Sequence, residues 1–151
     1  MVGIDTDVLL LAFKFHHDAR QEANREFLLQ ARPLGLAAPI FVIMELLGQL
    51  SFNIQSTRLR QWHSWLQDYL GLTVVYPATA GLNAADFFQG ELVARPLERM
   101  THQPWPYMDC LVVNLLEGAP GVDTFVTCNA RHFRGRTSLT VLTPAEFLAG
   151  R

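Results

Sequence analysis

The chain has 151 residues, of which half are hydrophobic and 17% are charged, and its formal net charge at pH 7 is -2. A chain of this length can bury a sizeable core, and this composition excludes an intrinsically disordered protein. The small net charge gives no overall attraction to nucleic acid, so any such binding needs a local basic patch. We therefore expect one globular domain over residues 1–151.

Local features exclude a disulfide scaffold and a membrane protein. Cys110 and Cys128 lie far apart in apolar segments, which indicates buried thiols in a reducing compartment rather than a disulfide framework or a zinc site. The start of the chain has no basic residues ahead of an apolar run, as a secretory signal would. The longest uncharged apolar run, 34–44, contains Pro39 and is too short to cross a bilayer. The sequence thus predicts a cytoplasmic protein.

Strands and helices alternate along the chain. Short apolar or β-branched runs predict strands at 2–4, 36–38, 72–76, 124–127 and 139–142. Helical spacing predicts helices directly after the first strand, over 17–31, 39–52, 56–70, 79–94 and 108–116, and from 143 onwards. Residues 95–107 contain three prolines and are predicted to be largely loop. This alternation is typical of an α/β fold whose mostly parallel sheet is covered by helices on both faces.

The first candidate for chemistry follows the first strand. Asp5, Thr6 and Asp7 stand where that strand ends and a helix begins. In an open α/β sheet, ligands bind outside the carboxyl ends of the strands, so an acid at this point is placed for chemistry. Asp is also a favoured N-cap residue, which is the alternative for either carboxylate alone. Two acids within three positions favour a functional site.

Two further acids are out of place in apolar helices. Residues 40–50 are apolar on nearly all sides of the predicted helix, which predicts burial, and Glu45 is the only charge among them. Asp109 lies in the first turn of the apolar helix over 108–116. A buried carboxylate is costly unless it is paired or binds a metal. A distant arginine could pair with any one of them, whereas Asp5, Glu45 and Asp109 together indicate a shared Mg²⁺ or Mn²⁺.

The motifs around these acids resemble, in order, those of PIN-domain ribonucleases. They are Ile4-Asp5-Thr6-Asp7, Met44-Glu45-Leu46, Met108-Asp109 and Val126-Thr127-Cys128-Asn129-Ala130-Arg131-His132-Phe133. The closest resemblance is to the VapC-type toxins of bacterial and archaeal toxin–antitoxin pairs, and it covers essentially the whole chain. It implies a three-layer α/β/α sandwich with a central, mostly parallel sheet of four to five strands. It also implies a Mg²⁺- or Mn²⁺-dependent endoribonuclease that forms a homodimer and has a cognate antitoxin.

The resemblance assigns roles to the individual side chains. Asp5, Glu45 and Asp109 match the first three acids of the family and would hold the metal. Asn129 stands at the fourth acid position and supplies a carbonyl oxygen without a charge, which leaves open whether one or two metal ions bind. Thr6 or Thr127 would orient water or the scissile phosphate. Asp7 could supply the negative charge that Asn129 lacks.

A basic loop after the fourth strand offers a path for a polyanion. The residues that we expect to bind RNA are Arg131, His132, Arg134 and Arg136, with Arg95 or Arg99 as further contacts. A solvated surface loop is the alternative. No motif indicates which RNA would be cleaved.

Two other functions are compatible with parts of the sequence. The run Asp5-Thr6-Asp7-Val8 after an apolar strand also resembles the start of haloacid-dehalogenase-type phosphatases. That chemistry needs a downstream lysine and a late acidic motif, but the single lysine, Lys14, is too close to the motif and the acidic motif is missing. The second alternative is a catalytically degenerate interaction module, whose partner surface would be formed by exposed aromatic residues at Trp62, Trp65 and Trp105.

Overall fold

The computed structural model describes residues 1–15 and 17–150, except for the side chain of His63. Its sheet has the five strands β1 (Val2–Ile4), β2 (Leu36–Pro39), β3 (Leu72–Val75), β4 (Thr124–Val126) and β5 (Thr140–Leu142). Their order across the sheet is β3-β2-β1-β4-β5, and every neighbouring pair is parallel. The prediction of a parallel sheet with four to five strands is confirmed.

Helices cover both faces of this sheet. They are α1 (Thr6–Phe13), α2 (Gln21–Ala31), α3 (Ile40–Ser51), α4 (Ser56–Leu70), α5 (Ala84–Phe87), α6 (Arg95–His102), α7 (Tyr107–Gly118) and α8 (Pro144–Ala149). Packing contacts join α1 to α2 and α3, α3 to α4 and α2 to α8, whereas α6 packs on α7. Right-handed crossovers place the first group on one face and α7 on the other. The fold is therefore a three-layer α/β/α sandwich, as predicted.

The central strands are buried, and α7 packs closely against one glycine of β1. All residues of β1 and β2 are buried. A Cβ atom at Gly3 in β1 would lie 2.9 Å from Cδ2 of Leu116, so a larger residue here would require the Leu116 side chain of α7 to shift. The close approach matters for function because α7 also carries Asp109.

Three predicted elements differ in their extent. The helix predicted over 17–31 begins at Gln21, and the one predicted from Thr79 begins at Ala84. The prediction that residues 95–107 are largely loop is wrong, because Arg95–His102 forms α6. Pro96 continues the helical course of the preceding residues, and the Leu92 carbonyl, four residues before it, accepts from the Tyr107 hydroxyl instead of from the N–H that proline lacks. A π-helical segment, Phe88–Ala94, joins α5 to α6.

The prediction that α3 is buried on nearly all sides is also wrong. Its core face is formed by Val42, Ile43, Leu46 and Leu50. Met44 is 60% exposed, and Glu45 faces solvent beside it. The error arises because apolar residues on an exposed face give the same sequence pattern as buried ones. Glu45 is therefore a surface acid near the edge of the sheet rather than a core residue.

The predicted start of the last helix is confirmed, whereas of the two thiols predicted to be buried only Cys110 is. Thr143 caps α8 and forms a capping box with Glu146. Cys110 and Cys128 are free thiols, the first buried and the second half-buried. No helix in the described ranges is long and apolar enough to cross a membrane.

Candidate functional site

The candidate site lies where the chain reverses its direction of travel across the sheet. From β1 the chain moves outward through β2 to β3, and it then returns to place β4 on the other side of β1. Such a switch point opens a crevice at the carboxyl ends of the two strands. Asp5 follows β1 and Thr127 follows β4. The Asp5 backbone N–H donates to the Val126 carbonyl at 3.2 Å, which holds the two strand ends together.

Asp5 is both a helix cap and part of this crevice. Its Oδ1 accepts a 2.8 Å hydrogen bond from the Thr6 backbone N–H at the start of α1. Its Oδ2 accepts a 2.8 Å hydrogen bond from the Thr127 hydroxyl. Burial raises the pKa of Asp5 to about 7, and the charge of Asp7 adds to the effect although the two hydrogen bonds oppose it. The capping alternative is thus correct, but it uses only one of the two oxygens.

Asp7 belongs to the same cluster. Its Oδ1 accepts a 3.2 Å hydrogen bond from the Cys128 backbone N–H, and its Oδ2 lies 3.3 Å from the Thr127 hydroxyl oxygen. A hydroxyl has one proton, so Thr127 shares it between the carboxylates of Asp5 and Asp7. Burial raises the pKa of Asp7 as well, against the effect of the Cys128 N–H. Carboxyl groups with raised pKa values in a crevice are typical of functional sites.

Asp109 and Glu45 approach the crevice from two helices. Asp109 lies in the first turn of α7, which runs back from the carboxyl edge of the sheet. Burial raises the pKa of Asp109, the charge of Glu45 raises it further, and His132 lowers it. The Thr6 hydroxyl donates to Glu45 Oε2 at 2.7 Å. The acids of α3 and α7 therefore lie within electrostatic reach of each other beside the start of α1.

Asn129 and the residues of the basic loop differ in their surroundings: some side chains are exposed, and others have partners within the protein. The Asn129 side chain is exposed, and its backbone N–H donates to the Thr127 hydroxyl at 3.1 Å. His132 is close enough to act on the pKa of Asp109, and Arg131 is exposed. The other two arginines have partners elsewhere: Arg134 pairs with Glu146, and Arg136 lies against Trp105.

The donor chemistry of the cluster fits a hard divalent cation. The ion pairs of the described residues are Arg20–Asp18, Arg95–Glu91, Arg99–Glu117 and Arg134–Glu146, so none of the four acids of the crevice is paired with a cation. Unpaired carboxylate oxygens are the ligands that Mg²⁺ and Mn²⁺ prefer. Within 1–15 and 17–150, however, no three His, Cys, Asp or Glu side chains converge closely enough to hold a metal ion. Metal binding would therefore require carboxylate side chains to rotate.

We expect Thr127→Val to destabilise the fold by about 1–3 kcal/mol, the usual cost of leaving buried polar groups without partners. Thr127 is fully buried, donates to Asp5 and accepts from the Asn129 backbone. Urea unfolding would measure the change. Thr140→Val, at an exposed position of β5, is the matched control and is expected to change stability by less than about 0.5 kcal/mol. Equal effects of the two substitutions would contradict this role of Thr127.

The aromatic residues expected on a partner surface are only partly exposed. Trp105 is 7% exposed and packs on Phe133 with ring centroids 5.6 Å apart, so the prediction that it is exposed is wrong. Trp62 and Trp65 are half-buried and contact each other at 5.1 Å between centroids.

Sequence reasoning also missed the Cys128 N–H contact with Asp7. No sequence signal could have shown it, because a backbone group makes the contact.

The fold is similar to that of known structures. Eight chains of solved structures match it. One of them is from a structure described as the crystal structure of VapBC2 from Rickettsia felis bound to a DNA fragment from their promoter. That chain has a TM-score of 0.61 and 20% sequence identity, and the match covers 95% of this chain and 98% of that chain. The similarity shows a PIN-like fold. No protein-family model and no curated protein matches the sequence.

Proposed function

We propose that this protein is a Mg²⁺- or Mn²⁺-dependent endoribonuclease that hydrolyses RNA phosphodiester bonds. The observation that carries the proposal is the group of four acids at the β1–β4 switch point, which have no cationic partner among the described residues. Burial raises the pKa values of three of them, and a cation at this point would favour their ionised forms. The PIN-like fold supports the same activity.

The side chains would have different roles in hydrolysis. A bound divalent cation would supply charge neutralisation at the scissile phosphate and activation of water near neutral pH. Asp5 and Asp109 would hold that ion directly, and Glu45 directly or through water. Thr6 holds the Glu45 carboxylate and Thr127 holds that of Asp5 through the hydrogen bonds described above. Asn129 would orient water or the phosphate with its carbonyl oxygen, and Asp7 would add negative charge.

The proposal extends to the partners of the protein. The similar structure is described as VapBC2 with promoter DNA, which supports a cognate antitoxin for this chain and a role as the toxin of the pair. Exposed apolar side chains such as Phe52, 86% exposed, and Met44 offer surface to an antitoxin or to a second copy in a homodimer. RNA and antitoxin would both be met in the cytoplasm.

A catalytically degenerate interaction module is the second candidate. It is favoured by two observations: no three metal-binding side chains converge among the described residues, and Asn129 brings no charge to the fourth position. In that case the fold would serve only to bind a partner. The assay below separates the two functions.

We expect the protein to cleave structured RNA in the presence of Mn²⁺ and to lose this activity in EDTA. Asp109→Asn is expected to lower the rate at least about 100-fold, or about 2.7 kcal/mol in the barrier. Asp123→Asn, at an acid that precedes β4 at the opposite edge of the sheet, is the control and should leave the rate unchanged.

Two other outcomes of this assay would contradict the ribonuclease. Hydrolysis of a small phosphate monoester in parallel reactions would indicate a phosphatase instead. Absence of both activities, with the protein folded, would leave the interaction module.

A further inference from the structure

We propose that a polar cavity between α6, α7 and the loop before β5 binds a phosphate group. Its volume is about 410 Å³, and its lining includes three arginines with other polar residues: Arg95, Arg99, Arg136, His102, Asn114 and Glu117. None of these is among the acids of the crevice. The cavity is thus a second candidate binding site in the protein.

The cavity lies a short distance from the acids along α7. Asp109 is in the first turn of that helix, and Asn114 and Glu117 are in its second half. A rise of about 1.5 Å per residue places Asn114 about 8 Å and Glu117 about 12 Å beyond Asp109 along the helix axis. One short single strand of RNA could therefore contact both the acids and the cavity.

Asn114 lines this cavity and carries a buried hydrogen-bond donor without a partner among the described residues. The residue is 8% exposed, and its Oδ1 accepts a 2.9 Å hydrogen bond from Arg99 Nε. That bond fixes the amide, because the flipped orientation would place two donors against each other. Nδ2 of Asn114 has no hydrogen-bond partner among the described residues. Buried donors without acceptors favour a ligand that only accepts hydrogen bonds, as phosphate oxygens do.

Only one of the three arginines, Arg136, leaves its positive charge available to a ligand in the described part of the chain. Arg99 is committed to internal contacts, since it pairs with Glu117 and donates to the Arg136 carbonyl at 3.1 Å. Arg136 has no carboxylate partner in the described part of the chain and donates to the Pro104 carbonyl at 3.2 Å. Its guanidinium and that of Arg99 lie 5.9 and 5.3 Å from the centroid of the Trp105 ring.

The lining has three arginines against two carboxylates, Glu98 and Glu117, so its formal charge is +1 with His102 neutral. Arg95 pairs with Glu91, outside the cavity. Glu117 accepts from Arg99, Thr137 and Ser138, which lower its pKa and satisfy its oxygens within the protein. Glu98 is the other acid of the lining, and its side chain is exposed. A guanidinium fork such as that of Arg136 suits phosphate geometry.

The phosphate has two possible sources. If the proposed ribonuclease function is correct, it is a backbone phosphate of the RNA whose scissile bond lies at the acids; this assignment of the source rests on that function. A free phosphate or a nucleotide would share the same chemistry. Binding of either kind can be measured without metal and without cleavage.

The first test follows the Asn114 side-chain amide by NMR during titration with inorganic phosphate. We expect a saturable shift of its resonances, relative to chloride at equal ionic strength, that is lost in Arg136→Gln. Arg60→Gln, at an exposed arginine of α4, is the matched control and should keep the shift. No saturable shift in the wild type, or an equal shift in Arg136→Gln, would overturn the proposal. Arg136→Lys keeps the charge without the fork and should give an intermediate affinity.

The second test identifies the source by measuring the affinity of single-stranded RNA in EDTA at several salt concentrations. Loss of one RNA phosphate contact in Arg136→Gln should reduce the slope of log affinity against log salt by about 0.7, with no change in Arg60→Gln. An unchanged slope, together with a positive phosphate titration, assigns the cavity to free phosphate or a nucleotide. Phosphate binding without any metal-dependent cleavage would refute the proposed ribonuclease and leave this site intact.

Discussion

Replacing Asp5 with Asn is expected to lower RNA cleavage by about 1,000-fold, equivalent to about 4 kcal/mol in the barrier, while the fold stays intact. Asn is as good an N-cap as Asp, so α1 keeps its start. The single amide oxygen keeps the cap, while its Nδ2 can donate to the Thr127 hydroxyl oxygen, which then donates to Asp7 alone. The substitution removes the negative charge that would hold the cation. The specificity constant for a structured RNA in Mn²⁺ measures the effect.

A matched control separates the loss of this charge from a general change in surface charge. Asp68→Asn removes an exposed acid from α4 and is expected to leave cleavage unchanged. Circular dichroism and thermal unfolding should show that Asp5→Asn is folded. Cleavage by Asp5→Asn within about threefold of the wild type would show that Asp5 does not hold a catalytic ion.

The stability of the metal-free protein is expected to fall as the pH rises from about 4 to about 7. The pKa of Asp5 is about 7 in the folded protein, against 3.8 ordinarily, so the folded state binds more protons than the unfolded state between these values. The free energy of unfolding then decreases with pH across this window. At 1.36 kcal/mol for each pKa unit, Asp5 alone would account for at most about 4 kcal/mol. The raised pKa values of Asp7 and Asp109 act with the same sign.

Urea unfolding in EDTA at several pH values would measure this dependence. Asp5→Asn is expected to resemble the wild type at pH 4 and to be more stable at pH 7, because it lacks the ionised buried group. Mn²⁺ should stabilise the wild type at pH 7 by mass action and have much less effect on the variant. A stability of the wild type that is constant or increasing over this range would contradict the electrostatic picture of the crevice.

The sheet could be predicted from sequence because its strands are short apolar runs between turn residues. All five are found within two residues of their predicted bounds, since buried parallel strands give near-continuous hydrophobic segments. The errors fall on helices. The prolines of 95–107 suggested a loop although Pro96 lies within a helical stretch, and the exposed Met44 gave α3 the pattern of a buried helix. Both depend on tertiary context that a local pattern does not contain.

The candidate site was only partly accessible to sequence reasoning. The position of Asp5 at a strand end follows from the local pattern, but its adjacency to Thr127 depends on β4 lying beside β1 in the sheet. The same order brings the Cys128 N–H to Asp7. The unpartnered amide of Asn114 could not be predicted at all, because it results from how Arg99 packs between α6 and α7.

The measurement that tests the central claim most directly is calorimetric titration of Mn²⁺ into the purified protein at pH 7, with Asp5→Asn as the comparison. If the acids at the β1–β4 switch point form a cation site, the wild type will bind Mn²⁺ saturably and Asp5→Asn will bind at least tenfold more weakly. Absence of binding to the wild type, or equal binding to both proteins, would contradict the claim.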